Sequence, residues 1–330
     1  MSWSDILEHD DVVDAFGRAV QRGRLASTFL FVGPAGVGKR TLALKLAQAL
    51  LCEATTDEPL QICGDCPSCV QVAAGTHPDV EFVCKPADKS SIPLDLFIGD
   101  KEHRNREGLC HRIALKPMRG NRKVAIIDDA DHLNAEGANC LLKTLEEPPP
   151  RSIIILIGTS LQRQLPTIRS RSQIIRFQPL SAQSVQQLLL KHDLVEAEQE
   201  ASDLAQLSGG SIQQALELRE PEVREFREQF QRMLPEVASD SVAIAKQVLQ
   251  FVDAAGKDAP PRRARLRTLA LWGVEFYRQQ LRNAAIDQQD VEHCEVAVDR
   301  AQRCLSVIRH VDANANLASV TEAWIDDLAR

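Results

Sequence analysis

A glycine-rich segment between an apolar run and a helix-forming run restricts the fold of this chain more than any other feature. Residues 33–41 read Gly-Pro-Ala-Gly-Val-Gly-Lys-Arg-Thr, which fits the phosphate-loop pattern GxxxxGK. The flanking residues predict a buried strand over 28–32 and a helix over 41–51. Glycines in such a turn let backbone amides point at phosphate oxygens, and the helix start favours negative charge. The residues predicted to hold the phosphates of ATP or ADP are Gly33, Gly36, Gly38, Lys39, Arg40 and Thr41.

Apolar runs that alternate with helical patterns predict an α/β fold with a parallel sheet. Beyond Pro179 no strand pattern remains. We therefore predict three regions: a phosphate-loop α/β domain over 1–178, a small helical lid over 179–220 and an all-α domain over 221–330. The predicted strands cover 28–32, 80–83, 123–127, 152–157 and 173–177. The predicted helices cover 11–22, 41–51, 109–115, 135–145, 181–191, 196–207, 212–218, 223–234, 241–252, 261–282, 288–310 and 317–328.

The phosphate loop departs from the usual pattern at one position. The residue after Lys39 is normally Ser or Thr, whose hydroxyl binds Mg²⁺, and here it is Arg40. Thr41 lies about 100° further round the helix and cannot take over this role. A guanidinium opposes a divalent cation, so we expect nucleotide binding without efficient Mg²⁺-assisted hydrolysis.

Acidic residues follow the strand predicted over 123–127. Asp128 has the position of a metal-binding Walker B carboxylate. Asp129 stands where a glutamate would polarise the attacking water, and its side chain is one methylene shorter. Catalysis is sensitive to displacements of about 1 Å, so this substitution predicts weak activity. Alternatively these acids only solvate the strand end and cap a helix, which is the interpretation we prefer for Asp131.

Four cysteines follow the phosphate-loop helix within residues 52–69. Three of them form a CxxCxxC run, and the fourth lies at the end of the preceding helix. Four thiolates in a reducing compartment favour a structural Zn²⁺. An iron–sulfur cluster and a redox pair are the alternatives. The predicted ligands are Cys52, Cys63, Cys66 and Cys69.

The overall composition excludes some classes of protein. The net charge of −7 argues against a free-standing DNA-binding domain with a basic face. No apolar run approaches the roughly 18 residues of a membrane helix, and no signal pattern is present at the start. We expect a soluble cytoplasmic protein without membrane contact.

Together these motifs resemble bacterial DNA polymerase III clamp-loader subunits of the AAA+ superfamily, and among them the delta-prime class most closely. The resemblance covers about residues 5–220 well. It is carried by the phosphate loop with its cysteine module and by three further segments. These are 115–131, which leads into Walker B, 138–149, which ends in Leu-Glu-Glu-Pro-Pro, and 165–172, which reads Leu-Pro-Thr-Ile-Arg-Ser-Arg-Ser.

The last of these segments implies an arginine that acts on another subunit. In this family a Ser-Arg-Cys motif points across the subunit boundary into the neighbour's ATP site. The motif corresponds here to Ser170, Arg171 and Ser172, with serine in place of cysteine. The resemblance therefore implies that Arg171 is a trans-acting arginine finger, and Arg169 is the rival candidate.

The sensor positions of the family indicate which kind of subunit this is. Thr159 occupies the first sensor position, and Gln213 stands where the second sensor should be an arginine. Arg40, Asp129 and Gln213 thus depart from the family pattern at three points of one ATP cycle. They imply a subunit that assists ATP hydrolysis in a neighbouring subunit, although an active gamma/tau-type ATPase is the alternative.

The resemblance also implies partners. Family members form a hetero-pentamer with gamma/tau and delta subunits through a C-terminal collar, which corresponds to the region predicted over 221–330. The complex loads the sliding clamp onto primer-template DNA. A zinc-dependent interaction module outside replication is a further alternative.

Overall fold

We describe the fold from a computed structural model, which covers residues 3, 6–54, 60–286, 291–313 and 315–330. The chain forms two compact units, Met1–Leu218 and Arg219–Arg330. The first unit contains all five strands of the described residues, and the second contains helices.

The first unit is built on a five-stranded parallel sheet. The strands are β1 (Thr28–Val32), β2 (Val80–Val83), β3 (Lys123–Ile127), β4 (Ser152–Gly158) and β5 (Gln173–Arg176). The strand order is β2-β3-β4-β1-β5, so β1 lies between β4 and β5. Every residue of β1, β3 and β4 is buried, as their apolar sequences predict for strands covered on both faces.

Two hydrophobic cores cover the two faces of this sheet. Successive strand residues point to opposite faces, so Phe29 and Phe31 join one core while Leu30 and Val32 join the other. Because parallel strands share one carboxyl edge, the segments that follow β1, β3 and β4 meet there. This edge brings the predicted phosphate loop and the predicted acidic residues together.

The helices of the first unit follow the alternating pattern. Between and around the strands lie α1 (Asp10–Gln21), α2 (Lys39–Leu51), α3 (Pro67–Ala73), α4 (Asp95–Ile98), α5 (Leu109–Ala114), α6 (Ala135–Glu146) and α7 (Pro166–Arg169). The short helices α8 (Ala182–Lys191), α9 (Glu198–Leu207) and α10 (Ile212–Glu217) follow β5. The prediction of an α/β fold with a parallel sheet and helices beyond it is confirmed. Sequence patterns missed three short helices, α3, α4 and α7.

The second unit consists of helices packed around aromatic residues. Its helices are α11 (Pro221–Met233), α12 (Ser241–Asp253), α13 (Ala259–Ile286), α14 (Val291–Asp312) and α15 (Leu317–Ala329). Trp272, Tyr277 and Trp324 are at most 2% exposed. At Gly273 of α13 a Cβ atom would lie 2.8 Å from Cys304 Sγ, so a side chain here would disturb the contact with α14. Residues 288–290, where we predicted the start of a helix, lie outside the described residues.

No helix among the described residues combines the length and apolarity needed to cross a membrane.

Candidate functional site

The predicted phosphate loop joins β1 to α2 at the carboxyl edge of the sheet. Gly36 and Gly38 have φ angles of 71° and 94°, a left-handed region that favours glycine. Lys39 Nζ donates hydrogen bonds to the carbonyl oxygens of Gly33 at 2.7 Å and Pro34 at 2.5 Å. Burial lowers the pKa of Lys39 to about 8, against the opposing charges of nearby aspartates. The ammonium group is therefore satisfied by the loop's own carbonyls.

The region that we predicted to be a lid packs directly on this loop. The backbone N–H of Ile212 donates to the carbonyl of Gly36 at 3.0 Å. A Cβ atom on Gly36 would lie 2.7 Å from Gln213 N and closer still to Ser211 Oγ. The start of α10 thus covers the middle of the loop, and Gln213 lies beside it.

Arg40 lies next to the first acidic residue after β3. Its Nη1 is 3.8 Å from Asp128 Oδ2, and its guanidinium carbon lies 4.5 Å from the centre of the Phe82 ring. Burial raises the pKa of Asp128, with a further contribution from Asp129, while Arg40 and Lys39 act to lower it. A cationic side chain thus lies beside the carboxylate that was predicted to bind a metal ion. Thr41 is exposed on α2.

Asp129 adopts a left-handed backbone conformation with φ of 57°. Its backbone N–H donates to Asp128 Oδ1 at 2.9 Å, which orients that carboxylate. Within the described residues its own carboxylate accepts no hydrogen bond, and it stays available at the carboxyl edge.

Asp131 is a buried acceptor in this site, and our interpretation of it as a solvated residue is wrong. Its side chain is 3% exposed. Its Oδ2 accepts from the backbone N–H of Thr159 at 2.8 Å and from Thr159 Oγ1 at 2.6 Å. Gln164 Nε2 donates to the other oxygen, and Arg163 lies 4.0 Å away. The Thr159 hydroxyl, which we predicted to be the first sensor, therefore donates to a carboxylate.

A glycine makes this arrangement possible. Gly158 ends β4, and a Cβ atom there would lie 2.7 Å from Asp131 Oδ1. A Gly-Thr pair at the end of a fully buried strand is the sequence signal that could have pointed to the network.

Arg171 lies outside this cluster, in the turn between α7 and β5. Its Nε and Nη2 atoms donate to Glu146 Oε1 at 3.0 Å and 2.5 Å. Its Nη1 donates to the carbonyl of Thr167 and to Ser170 Oγ, both at 3.1 Å. Arg169 is exposed at the end of α7.

The four predicted metal ligands converge. Their sulfur atoms all lie within 4.8 Å of one another. The Sγ atoms of Cys52 and Cys63 are 3.5 Å apart, and those of Cys63 and Cys69 are 3.8 Å apart. Zinc–sulfur bonds of about 2.3 Å in a tetrahedron give sulfur separations of about 3.8 Å. These residues therefore fit a four-coordinate metal ion.

Backbone amides support charge on the sulfur atoms. The N–H of Cys66 lies 3.3 Å from Cys63 Sγ, and the N–H groups of Glu53 and Cys69 lie 3.5 Å and 3.4 Å from Cys66 Sγ. The donors around Cys63 lower its pKa to about 6, whereas burial raises the pKa of Cys69. A bound cation would offset the mutual repulsion of such closely spaced thiolates.

A chain of polar contacts leads from this cysteine cluster to a histidine. Glu53 Oε1 accepts from Ser68 Oγ at 2.8 Å and from Arg119 Nε at 2.7 Å. Ser68 Oγ lies 3.0 Å from His77 Nε2. His77 Nδ1 accepts from the backbone N–H of Asp79 at 3.0 Å. Since Nδ1 is an acceptor, the neutral ring carries its proton on Nε2.

This series of polar contacts ends at a buried aspartate that holds a loop before β3. Asp79 is fully buried, and its carboxylate accepts from the backbone N–H groups of Met118 at 2.6 Å, Arg119 at 2.8 Å and Gly120 at 2.8 Å. The cysteine cluster and this loop therefore share one hydrogen-bonded network. Sequence patterns gave no sign of it.

The strand order, the phosphate loop after β1, the acidic residues after β3 and the helices over the loop define an α/β fold of the AAA+ class. The sequence model of the family described as DNA polymerase III, delta subunit, matches residues 8–181. The chain belongs to this family, and the resemblance to clamp-loader subunits is confirmed.

Similar proteins agree with this family. The chain is 35% identical over 224 residues to DNA polymerase III subunit delta' of Pseudomonas aeruginosa, covering 67% of this chain and 64% of that protein. It is 33% identical over 195 residues to subunit delta' of Bacillus subtilis, covering 59% and 55%. It is also 30% identical over 221 residues to subunit tau of Escherichia coli, covering 66% and 32%. The match thus spans less than two thirds of each of these relatives.

One solved structure covers nearly the whole chain. The DNA polymerase III gamma subunit-related protein of Thermotoga maritima shares 16% identity and a TM-score of 0.41, over 96% of this chain and 99% of that chain.

Proposed function

We propose that this protein is a delta-prime-type clamp-loader subunit that hydrolyses little ATP itself and assists hydrolysis in a neighbouring subunit. The observation that carries the proposal is the position of Arg40, 3.8 Å from Asp128. Mg²⁺ normally lies between such a carboxylate and the phosphates, where it neutralises developing charge. A guanidinium there repels the ion and cannot replace its octahedral oxygen coordination.

Two further contacts and one residue type support a nucleotide site with low activity. Lys39 donates to the carbonyls of its own loop. The Thr159 hydroxyl donates to Asp131, so its proton is directed away from a phosphate. Gln213 carries no charge with which to hold a γ-phosphate. The loop geometry remains suited to binding ATP or ADP, and the residues around it are poorly suited to cleaving the phosphate bond.

Arg171 is the group that we propose to act on the neighbour's ATP. A guanidinium offers N–H donors in a planar fork, which matches two oxygens of a phosphoryl group. Charge on those oxygens grows in the transition state, so a positioned cation stabilises it more than the ground state. The side chain is about one third exposed, so it can reach another protein surface.

The cysteine cluster is proposed to bind a structural zinc ion through Cys52, Cys63, Cys66 and Cys69. Four protein ligands complete a tetrahedron, which leaves no position for a reacting water. The ion would hold α3 and the residues after α2 together. It supplies no catalytic step.

The proposed partners follow from the family. They are gamma/tau and delta subunits in a hetero-pentamer, with the sliding clamp and primer-template DNA reached through that complex in the cytoplasm. The second unit, residues 219–330, is the proposed collar. The regions 1–178, 179–220 and 221–330 correspond in this proposal to the nucleotide domain, the lid and the collar.

An active gamma/tau-type ATPase is the second candidate function. The observation that favours it is the similarity to gamma/tau subunits, such as that of Mycobacterium tuberculosis, which is 32% identical over 191 residues. Lys39 is also retained in the loop. The isolated chain would then hydrolyse Mg²⁺-ATP, and Lys39→Ala would abolish the turnover.

One pair of assays tests the proposal. The isolated wild-type chain should hydrolyse ATP no faster than its Lys39→Ala variant. In a reconstituted clamp loader, Arg171→Ala should lower hydrolysis at the neighbouring site by roughly 10³, the lower range for an arginine finger. Arg169→Ala is the matched control, because Arg169 is exposed two residues away and should leave the rate unchanged. Lys39-dependent turnover by the isolated chain, or an unchanged rate with Arg171→Ala, would reject the proposal.

A further inference from the structure

Two adjacent carboxylates end α6 at a position where a helix does not favour them. Glu146 is the last residue of α6 and Glu147 follows it. The carboxyl end of a helix carries partial negative charge, so anions there are unfavourable and cations are favourable. Lys143 is the basic residue in the last turn of α6. Two acidic residues at this end therefore form a local binding site for a further cation.

Arg171 occupies that cation site. Both Nε and Nη2 donate to the same oxygen of Glu146, at 3.0 Å and 2.5 Å. Nη1 is bound by the carbonyl of Thr167 and by Ser170 Oγ. All three guanidinium nitrogens are thus engaged by the chain's own residues. Within the described part of the chain, Glu147 is exposed and its carboxylate takes part in no hydrogen bond or ion pair.

The backbones on both sides of this pair are fixed by the core. Leu145, next to Glu146, is 4% exposed, and Ile168 of α7 is 1% exposed. Both belong to the same hydrophobic core. Arg171 and Glu146 are 32% and 50% exposed, so their side chains can move while the backbone stays in place. A change of partner for Arg171 therefore needs only side-chain rotation.

We propose that Glu146 is a positioning residue that holds the arginine finger on its own subunit and competes with the neighbour's phosphoryl group for it. This inference rests on the proposed function of Arg171. When the neighbouring subunit presents ATP, the Arg171 guanidinium leaves the Glu146 carboxylate and binds the more highly charged phosphoryl group. Glu146 thereby lowers stimulation of the neighbour until its phosphate is correctly placed.

The test compares Glu146→Gln with Glu147→Gln in a reconstituted clamp loader, with ATP as substrate. Both variants remove one charge from the end of α6, and only the first removes the partner of Arg171. We expect Glu146→Gln to raise kcat/KM by at least about twofold and at most about fivefold, since fivefold corresponds to the ~1 kcal/mol upper range of an exposed ion pair. Glu147→Gln should change it by less than about twofold.

A double-variant cycle separates the role of Glu146 from that of Arg171. In the Arg171→Ala background, Glu146→Gln should have no effect on the rate. A rate that does not rise with Glu146→Gln, or that rises equally without Arg171, overturns the role of Glu146 and leaves the finger intact. An unchanged rate with Arg171→Ala alone refutes the proposed function, and this inference with it.

A readout on the isolated chain keeps the ion pair itself testable. In protein labelled with ¹⁵N-arginine, the Arg171 Nε–H signal is identified by its loss in Arg171→Ala. That signal should shift in Glu146→Gln and stay in place in Glu147→Gln. A signal that is insensitive to Glu146→Gln would show that the finger is not held there, and the inference would fall.

Discussion

Replacing Asp79 by asparagine should destabilise the first unit strongly, because its carboxylate has no substitute as an acceptor. The side chain is fully buried and accepts three backbone N–H bonds, from Met118, Arg119 and Gly120, at 2.6–2.8 Å. Asparagine keeps one oxygen and turns an NH₂ group toward these donors. At least one charge-assisted bond is lost, and the backbone donor that made it loses its partner.

The expected cost is about 2 kcal/mol, since a hydrogen bond to a charged group contributes about 1.5–3 kcal/mol. For a unit of about 200 residues each kcal/mol shifts Tm by about 2–4 °C, so the shift should be about 4–8 °C. Asp88→Asn is the matched control, because the Asp88 side chain is 77% exposed and its substitution should cost less than about 0.5 kcal/mol.

Calorimetry and hydrogen exchange provide the assay. The transition of the first unit should fall in temperature, and the amides of Met118, Arg119 and Gly120 should exchange faster than in the wild type. A Tm shift below about 2 °C, with these amides still protected, would refute the assignment of Asp79 as the anchor of this loop.

The pH dependence has a defined sign. Burial acts to raise the pKa of Asp79, but the hydrogen bonds from Gly120, Met118 and Arg119 outweigh it, and the pKa is lowered. The stabilisation is therefore fully present above the unfolded pKa of about 3.9 and is lost as the pH falls through the lower folded value. The Tm difference between wild type and Asp79→Asn should be constant from about pH 5 to 8 and should shrink below about pH 4.

Two further predictions concern the cysteine cluster and the lid contact. Elemental analysis should find one zinc per chain, and Cys63→Ser should lower both the zinc content and Tm. Cys84→Ser, which lies outside the cluster, should retain the metal. Full zinc content in Cys63→Ser would contradict the ligand assignment. Gly36→Ala and Gly75→Ala both place a side chain at positive φ, 71° and 70°, and only Gly36 has neighbours within 4 Å. Chemical denaturation should show a cost of about 1–2 kcal/mol for Gly75→Ala and about 1–3 kcal/mol more for Gly36→Ala, and equal costs would rule out a close contact with the lid.

The central sheet could be predicted closely because its signals are local. Strands β1 and β3 were predicted with their observed bounds and β4 to within one residue, since uninterrupted apolar runs mark strands buried on both faces. Helix α3 was missed because it begins within the cysteine run and its seven residues show too little periodicity.

The polar networks could not be predicted because their partners are distant in sequence. Asp131 is bound by Thr159, 28 positions later, and no local pattern links the two residues. Asp79 holds a loop about 40 positions further along the chain. Arg171 was found through its motif, whereas its partner Glu146 had no assigned role until the two side chains were seen together. Motif spacing predicted which residues lie at the site. Tertiary structure decides which of these residues form hydrogen bonds or ion pairs with one another.

The hydrogen bond from Ile212 to Gly36 joins the start of α10 to the middle of the phosphate loop. Under the proposed function, a rearrangement of this loop on nucleotide binding would be passed to α10 through that bond.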